Sequence, residues 1–304
     1  MTPLGRTVSA TRRGLAVAVL LVVVVLVVTA CAASAATGTI RVGASSSTED
    51  RLLAEIYARG LELRGIEVER DFGPGMPEST VADLREGSVD LVPASTGDLL
   101  RSLDPGATAT SAPEVYAQVR TRLPPTLAVL APSAAEDKDA VVVTRSFAQQ
   151  YALRSIVDLA PLCARTVFGG PPDFRTRPDG LPGLQRLYGC TPPYRALAPG
   201  AAAAVAALRD GTVQAAELVT TDPSIPTNDL VVLEDPAWNV AAQNVVPVIR
   251  RASSTDPKVD DVLDGISAQL DTQVLTDLNR RVTGPDASDP ALVARDWLSS
   301  AGIG

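Results

Sequence analysis

The sequence contains no histidine and only three cysteines in 304 residues. Histidine is the commonest general base and a frequent metal ligand, so its absence removes the side chain on which many catalytic sites depend. The chain also lacks the Gly-x-Ser-x-Gly, Ser-x-x-Lys, P-loop and Gly-x-Gly-x-x-Gly motifs. Its acidic runs, "SAAEDKDA" and "VDDVLD", are typical of solvated surface. The sequence therefore favours binding over catalysis and indicates no metal or cofactor.

Aromatic residues and lysines are also scarce. Phe, Trp and Tyr make up 4% of the chain, and lysine occurs only at Lys138 and Lys258. Acidic residues outnumber basic ones, which gives a formal net charge of −8. Because nucleic acids bind basic surfaces, this charge argues against a nucleic-acid partner.

The first 30 residues have the pattern of a secretory signal. Three arginines, Arg6, Arg12 and Arg13, precede an apolar run of about 14 residues. That run is shorter than the roughly 20 residues of a membrane-spanning helix, and no later apolar run approaches about 18. It ends on "VTAC", which resembles a bacterial lipobox and implies cleavage before a lipid-modified Cys31. The alternative is an ordinary signal peptide in which Cys31 is incidental.

The remaining cysteines, Cys163 and Cys190, form an even pair in a chain predicted to be exported. Export to an oxidising compartment favours a disulfide bond between them. It would close a loop of about 28 residues and stabilise the fold by about 3 kcal/mol. The alternative is two buried free thiols.

Strand and helix patterns alternate after a small-residue tether at 31–38. "TIRVGAS" predicts a strand, Thr48–Leu63 a helix with an apolar face, "IEVERDFG" a strand, "STVADLREGS" a helix and "VDLVPAS" a strand. Such a β-α-β-α-β order is typical of a parallel sheet covered by helices. Repeated prolines interrupt the pattern between about 104 and 136, where we expect irregular structure.

A second alternating set follows from residue 140, and residues 257–304 have helical patterns. Two α/β units joined by a helical tail predict two lobes with a cleft between them. Ligands of open parallel sheets bind at the carboxyl ends of the strands. The loops that follow the predicted strands are therefore the candidate binding loops: "GASSSTE", "PASTGDLL", "FGGPPDFRTRPDG" and "TTDPSIP".

Hydroxyl groups and arginines are the polar features of these loops. Ser46 precedes one predicted helix, and Ser95 and Thr96 precede another, where backbone amides attract anions. These residues have a simpler alternative role as N-caps and turn formers. Arg175 and Arg177 follow the strand "RTVFGG", where a guanidinium can hold a carboxylate or phosphate, although a loop arginine is more often a surface charge.

Five segments, in order along the chain, resemble the substrate-binding lipoproteins of glycine betaine, choline and carnitine ABC importers. They are "IRVGASSSTED", "LREGSVDLVPASTGDLL", "TRPDGLPGLQRLYG", "LVTTDPSI" and "LVVLEDP" with "NVVPVIR". The resemblance implies an α/β, two-lobed periplasmic-binding-protein fold of type II, with a ligand cleft that closes by hinge motion. It places lobe 1 at 39–137 plus 243–304 and lobe 2 at 138–242.

The family holds a quaternary ammonium among tyrosines by cation–π attraction and holds the carboxylate with arginine and hydroxyl groups. The arginine of "RpDG" corresponds to Arg177. The tyrosines of two other motifs fall on Ser95 and Val219, so the expected positions do not assemble an aromatic cage. What the resemblance leaves is a polar set of candidate ligand-binding residues: Arg177, Thr96, Ser46, Ser95, Thr221, Asn244 and Gln243.

The expected function is that of the extracytoplasmic solute-binding component of an ABC importer. It would be a monomer anchored to the membrane through Cys31, would bind a small osmolyte-like solute, and would deliver it to permease and ATPase subunits. Because the cage is missing, a polyol, anionic or phenolic solute is the alternative to a betaine. A ligand-sensing lipoprotein and an enzyme on the same scaffold are the alternatives from other functional classes.

Overall fold

The computed structural model describes residues 38–72, 80–284 and 286–303. The predicted signal peptide and the predicted lipid attachment site, Cys31, lie outside these residues. Within the described ranges, no helix is both long and apolar enough to cross a membrane.

Ten strands and twelve α-helices make up this part of the chain. The strands are β1 Ile40–Gly43, β2 Val68–Asp71, β3 Leu91–Ser95, β4 Leu127–Val129, β5 Asp139–Thr144, β6 Phe168–Gly170, β7 Tyr194–Ala196, β8 Ala215–Val219, β9 Leu230–Val232 and β10 Val245–Arg250. The helices are α1 Thr48–Leu63, α2 Thr80–Glu86, α3 Thr96–Leu103, α4 Ala112–Arg122, α5 Arg145–Tyr151, α6 Ile156–Leu159, α7 Leu181–Tyr188, α8 Ala201–Arg209, α9 Ser224–Thr227, α10 Pro257–Gln269, α11 Thr272–Thr283 and α12 Pro290–Ser300.

The strands form two separate five-stranded sheets, as the alternating sequence pattern predicts. The first has the order β2-β1-β3-β10-β4 and the second the order β7-β6-β8-β5-β9. We call the elements around the first sheet lobe 1 and those around the second sheet lobe 2. Both sheets are mixed, because β10 is antiparallel to β3 and β4, and β5 is antiparallel to β8 and β9. The expectation of parallel pairing holds only for β1 with β2 and β3, and for β6 with β7 and β8.

Helix α1 is the central covering helix of lobe 1. It begins after Ser47, whose side chain accepts a hydrogen bond from the Asp50 amide, and two acids in its first turn suit the helix dipole. Its apolar face is buried against β1 and the C-terminal helices α10 and α12. Fully burying each large apolar side chain contributes about 1.5–3 kcal/mol. Because burial of this face stabilises the helix so strongly, the spacing of its apolar residues predicted the helix well.

The proline-rich stretch between 104 and 136 is more regular than predicted. It contains helix α4, whose second residue is Pro113, and strand β4. Proline is compatible with the first turn of a helix because the amide that it lacks would have no intrahelical partner there. Val115 and Val119 bury one face of α4, and the Tyr116 hydroxyl donates a hydrogen bond to the Leu130 carbonyl at 2.9 Å.

Lobe 2 contains the predicted disulfide bond between Cys163 and Cys190. Both cysteines are buried in the apolar cluster that includes Phe168, Phe174 and Leu184. The bond connects the turn before β6 to the residue that follows α7 and its Gly189 end. It therefore closes a loop that contains β6, Arg177 and all of α7.

Candidate functional site

Two segments connect the lobes, 130–138 between β4 and β5 and 233–244 between β9 and β10. They run antiparallel to each other where they cross. The Asp137 amide donates to the Gln243 carbonyl at 3.2 Å, and the Val245 amide donates to the Ala135 carbonyl at 3.0 Å. A paired double connection of this kind suits a hinge, because bending it moves one lobe against the other while the chain connections stay intact.

Three of the predicted ligand-binding residues hold this connection to lobe 1. The buried Thr96 hydroxyl donates to the Ala242 carbonyl at 3.2 Å and accepts from the Asn244 amide at 3.0 Å. The Gln243 side chain makes two hydrogen bonds to Asp98, with its amide donating to the carboxylate at 2.7 Å. The Asn244 side chain donates to the Ser133 carbonyl at 3.1 Å. These hydrogen bonds fix the start of α3 against the connecting segment.

A cavity of about 710 Å³ lies between the lobes. Arg177 and Gln243 are the two predicted residues that line it. Its charged lining consists of four acids and four bases: Asp98, Asp137, Asp139, Asp179, Arg101, Lys138, Arg177 and Arg186. No aromatic side chain is among the described residues that line it. Ser46, which is exposed, and Ser95 do not line the cavity either.

Arg177 lies in the loop after β6 and is surrounded by carboxylates. Its guanidinium group is 2.9 Å from Asp139 and 3.2 Å from Asp179, contacts Glu217, and is 3.8 Å from Asp173. We call these four acids the acid cluster. Because they outnumber the single guanidinium, the surroundings of Arg177 have the electrostatic character of a cation site rather than that of an exposed anion clamp.

The sheet register explains how two of these acids meet. Asp139 begins β5 opposite Val219, and Glu217 lies two residues before Val219 on β8, opposite Val141. Residues that alternate along a strand share a face, so Asp139 and Glu217 point to the same side of the sheet. The Arg177 loop then covers that side from the end of β6. Asp139 and Glu217 are 78 positions apart in the sequence (217 − 139), so local pattern could not predict that they meet.

Glu217 is the most buried member of the acid cluster, with 8% of its surface exposed. One carboxylate oxygen accepts a hydrogen bond from Arg177, and the other, Oε2, has no hydrogen-bond partner among the described residues. Burial and the nearby charge of Asp139 raise the pKa of Glu217 to about 8. A buried carboxylate oxygen without a donor costs about 1–3 kcal/mol, so the ionised form of Glu217 is stabilised by any donor that enters and reaches Oε2.

A second pair of acids, Glu49 and Asp137, lies where the lobes meet. The predicted residue Thr221 belongs here: its hydroxyl donates to Asp137 at 2.6 Å. The Asn279 side chain donates to Glu49 and, at 3.4 Å, to the Thr221 carbonyl. Burial and the charge of Asp137 raise the pKa of Glu49 to about 8. The start of α1, the hinge, the loop after β8 and helix α11 thus meet around two carboxyl groups that favour sharing a proton.

Replacing Glu49 by Gln is expected to stabilise the protein by about 2 kcal/mol near pH 8. The pKa of Glu49 is raised in the folded state, so its contribution to stability is full at low pH and is lost as the pH rises from about 4.5 towards about 8. Glutamine cannot ionise, yet its oxygen can accept from Asn279 and its amide can donate to Asp137. Urea unfolding near pH 5 and near pH 8 measures the difference.

The matched control is Glu62→Gln on the same helix. The hydrogen bond from Arg70 keeps the pKa of Glu62 below its usual value, so this change should lower stability slightly near pH 8 and have no such effect under acidic conditions. Equal losses of stability from pH 5 to pH 8 in the wild type and in Glu49→Gln would contradict the assignment. Glu49→Gln should still lose, between pH 5 and pH 8, the part of the stability that depends on Glu217.

Sequence reasoning missed Asp137, Asp139, Asp179, Glu217 and Glu49. It assigned the run "SAAEDKDA" to solvated surface, whereas Asp137 and Asp139 are only partly exposed and line the cavity. One usable signal was present: Glu217 is the single charged residue in the apolar strand "AAELV". A lone acid in a buried strand is rare unless it is paired or binds something.

Comparison with known proteins is consistent with this geometry. Residues 38–300 match the family model described as the substrate binding domain of ABC-type glycine betaine transport system. The glycine-betaine-binding protein of Pseudomonas aeruginosa is 28% identical over 272 residues, which cover 86% of this chain and 87% of that protein.

Two solved structures share the fold. One is apo YehZ from Escherichia coli, with 24% identity, a TM-score of 0.79, and coverage of 88% of this chain and 100% of that one. The other, a glycine betaine/carnitine/choline ABC transporter, has 18% identity, a TM-score of 0.79, and coverage of 87% and 99%. At these identities the likeness establishes the two-lobed, type II periplasmic-binding-protein fold. Because the family model covers most of its length, the chain belongs to the family of substrate-binding domains of ABC-type glycine betaine transport systems.

Proposed function

We propose that this protein is the solute-binding component of an ABC importer, which takes up a small polar solute between its lobes and delivers it to the permease. The observation that carries the proposal is the cavity of about 710 Å³, which charged side chains from both lobes line at the hinge. A solute that contacts both lobes favours the closed arrangement, and the closed arrangement gives the permease a surface by which to recognise the loaded state.

The charges of the cavity favour a solute with both a cationic and an anionic or hydroxyl-bearing part. Asp139 and Asp179 of the acid cluster line the cavity, and so do three further bases: Arg101 on α3 of lobe 1, Lys138 at the end of a connecting segment and Arg186 on α7 of lobe 2. Arg101 is already paired with Asp98 at 2.6 Å, and Lys138 with Glu136 at 2.8 Å. Arg186 is exposed, and its guanidinium has only a long, 3.5 Å hydrogen bond to the Pro178 carbonyl, so it is the base best placed to hold an anionic group.

Binding without chemistry is the proposed mode of action. The acid cluster surrounds a guanidinium, which cannot act as a general base in proteins. We also propose that Cys31 carries the lipid anchor, because an anchored receptor stays close to its permease. A diacylglycerol with an added acyl chain supplies the two or more chains that stable anchoring requires.

Replacing Val219 by Trp is expected to abolish solute binding while leaving the protein folded. Val219 ends β8, has 37% of its surface exposed and lines the cavity, so an indole there occupies solute space without disrupting the core. Calorimetric titration with solutes that stabilise the wild type in a thermal-shift screen measures the effect.

The matched control is Val157→Trp, since Val157 is also an exposed valine of lobe 2, with 53% of its surface exposed, and lies on α6 outside the cavity. The control should bind as the wild type does. Undiminished binding by Val219→Trp would place the solute elsewhere and overturn the proposed site.

A further inference from the structure

We propose that the acid cluster is the subsite for the cationic part of the solute, and that it selects ammonium or guanidinium groups that carry N–H donors over quaternary ammonium groups. This inference deepens the proposed function and rests on it. Four features of the described residues support it: the charge balance of the cluster, the free oxygen of Glu217, the cavity beside that oxygen, and the occupied faces of the nearby aromatic rings.

The charge balance leaves room for a second cation. Asp139, Asp173, Asp179 and Glu217 surround one guanidinium group, that of Arg177. No group of side chains in the described ranges has the arrangement of a metal site. Even with Glu217 protonated, three carboxylates surround one guanidinium and favour a further positive charge, so an organic cation is the entering group that the cluster fits.

The Glu217 oxygen that lacks a hydrogen-bond partner among the described residues gives the site its preference for groups that carry N–H donors. Oε2 is buried, has no hydrogen-bond partner, and belongs to a residue that lines a cavity of about 210 Å³. Asp139 and Val219 line this small cavity and also the large one between the lobes, so the two cavities lie side by side. An N–H group that enters from the cleft could therefore reach an acceptor that is already desolvated, and a charge-assisted hydrogen bond there is about twice as strong as a neutral one.

A quaternary ammonium group gains little from such a site, because it has no N–H to donate. It is held instead by the faces of aromatic rings. Here those faces are occupied by the chain's own cations. The Arg177 guanidinium lies 5.4 Å from the centre of the Phe174 ring, Arg175 lies 5.4 Å from Tyr194, and Lys138 lies 5.0 Å from Trp238. Phe174 and Tyr194 also stack on each other and on Phe168, which covers further ring surface.

Proton release should accompany binding of such a cation. The pKa of Glu217, which burial and the charge of Asp139 raise to about 8, means that its carboxyl group is largely protonated near neutral pH. The bound cation requires the ionised form, so affinity should rise with pH until that pKa is passed. The charged and titratable groups that face Glu217 are Asp139 from β5, Asp173, Arg177 and Asp179 from the loop after β6, Tyr194 from β7 and Asp222 from the loop after β8.

The experiment uses glycine, sarcosine, N,N-dimethylglycine and glycine betaine, which share one skeleton and differ in their N–H donors. Calorimetry with the wild type near pH 6 and near pH 8 should show binding of the N–H members, with glycine betaine at least about tenfold weaker. Affinity for the N–H members should rise several-fold, by a factor of at least about 5, from the lower to the higher pH. Methylammonium and tetramethylammonium, followed by thermal shift, test the cationic part alone.

Glu217→Gln should lower the affinity for the N–H probes by about tenfold near pH 8 and remove the rise with pH. Asp139→Asn should act in the same direction and serves as a second variant in case the first does not fold. The control Asp210→Asn changes an exposed aspartate just after α8 in lobe 2 that lines neither of these two cavities, and it should bind as the wild type does.

Two results would overturn the inference: binding of glycine betaine or tetramethylammonium as tight as that of the N–H probes, or no binding of any N–H probe at its highest soluble concentration. These outcomes differ from failure of the proposed function. If a solute binds and Val219→Trp abolishes that binding, while Glu217→Gln and pH have no effect, the cleft is the binding site and the acid cluster is not its subsite. If no binding responds to Val219→Trp, the proposed function fails as well.

Discussion

Replacing Asp90 by Ala should lower the free energy of unfolding by about 3–5 kcal/mol. Asp90 precedes β3 and has 4% of its surface exposed. Its carboxylate accepts hydrogen bonds from the Arg41 amide at 3.0 Å and the Arg41 guanidinium at 3.1 Å, both on β1. It also accepts from Arg250 at 2.9 Å and from the Ser253 hydroxyl at 3.0 Å, at the end of β10 and just after it. Removal of this acid leaves donors from both neighbouring strands without their acceptor.

The pH dependence of this contribution has the opposite sign to that of Glu49. Burial alone would raise the pKa of Asp90, but the hydrogen bonds from Arg41, Ser253 and Arg250 hold that pKa below its usual value. The stabilisation is therefore present above the ordinary pKa of an aspartate and is lost as the pH falls through the lower, folded value. Urea unfolding near pH 7 and under acidic conditions should show the wild type and Asp90→Ala converging in acid.

The control for this prediction is Asp277→Ala. Asp277 lies on α11, has a side chain that is 61% exposed and is 3.7 Å from Arg280. An exposed pair of this kind contributes less than about 1 kcal/mol. If Asp90→Ala cost no more than Asp277→Ala, the hydrogen-bond network around Asp90 would not hold the sheet as described.

Asp90 also shows what the sequence could predict and what it could not. It belongs to the "GSVDL" segment that carries part of the family resemblance, and its role is to join three strands, not to bind a solute. The apolar pattern predicted the neighbouring elements because burial follows directly from side-chain spacing: helix Thr48–Leu63 and the alternation that produces two sheets are as expected. The Arg41–Asp90–Arg250 network was not predictable, because its hydrogen-bonded partners are up to 160 residues apart.

The candidate site also combines features that local sequence pattern predicts with long-range contacts that it does not. Sequence reasoning proposed Arg177 as a site residue, because an arginine after a strand and before a Pro-Asp-Gly turn has a predictable place at the edge of a sheet, and Arg177 lines the cavity. It could not find the four acids around Arg177, because their positions depend on the register of β5 against β8 and on the course of the loop after β6. The surroundings change the chemistry assigned to Arg177: an arginine expected to hold an anion is already neutralised by its own chain.

Removing the disulfide bond should lower the free energy of unfolding by about 3 kcal/mol. The bond joins Cys163 to Cys190 across 27 positions and restricts the unfolded chain, so the loss follows mainly from unfolded-state entropy. The Cys163→Ala/Cys190→Ala variant measures it by urea unfolding, with reductant added to the wild type as the chemical equivalent. Mass spectrometry without reductant should find these two cysteines joined, and two alkylatable thiols in the native protein would refute the bond.

The same variant tests whether the bond also positions the binding loop. Arg177 and α7 lie inside the loop that the bond closes, and the residues around both cysteines form one apolar cluster with Phe174, over which the Arg177 guanidinium lies. Loosening the ends of this loop should let the guanidinium leave the acid cluster, so affinity for N–H cations should change together with stability. The control is the double variant with reductant added, which should behave as it does without reductant. If stability falls by about 3 kcal/mol while affinity stays the same, packing against Phe174 alone positions Arg177, and the bond acts only on the unfolded chain.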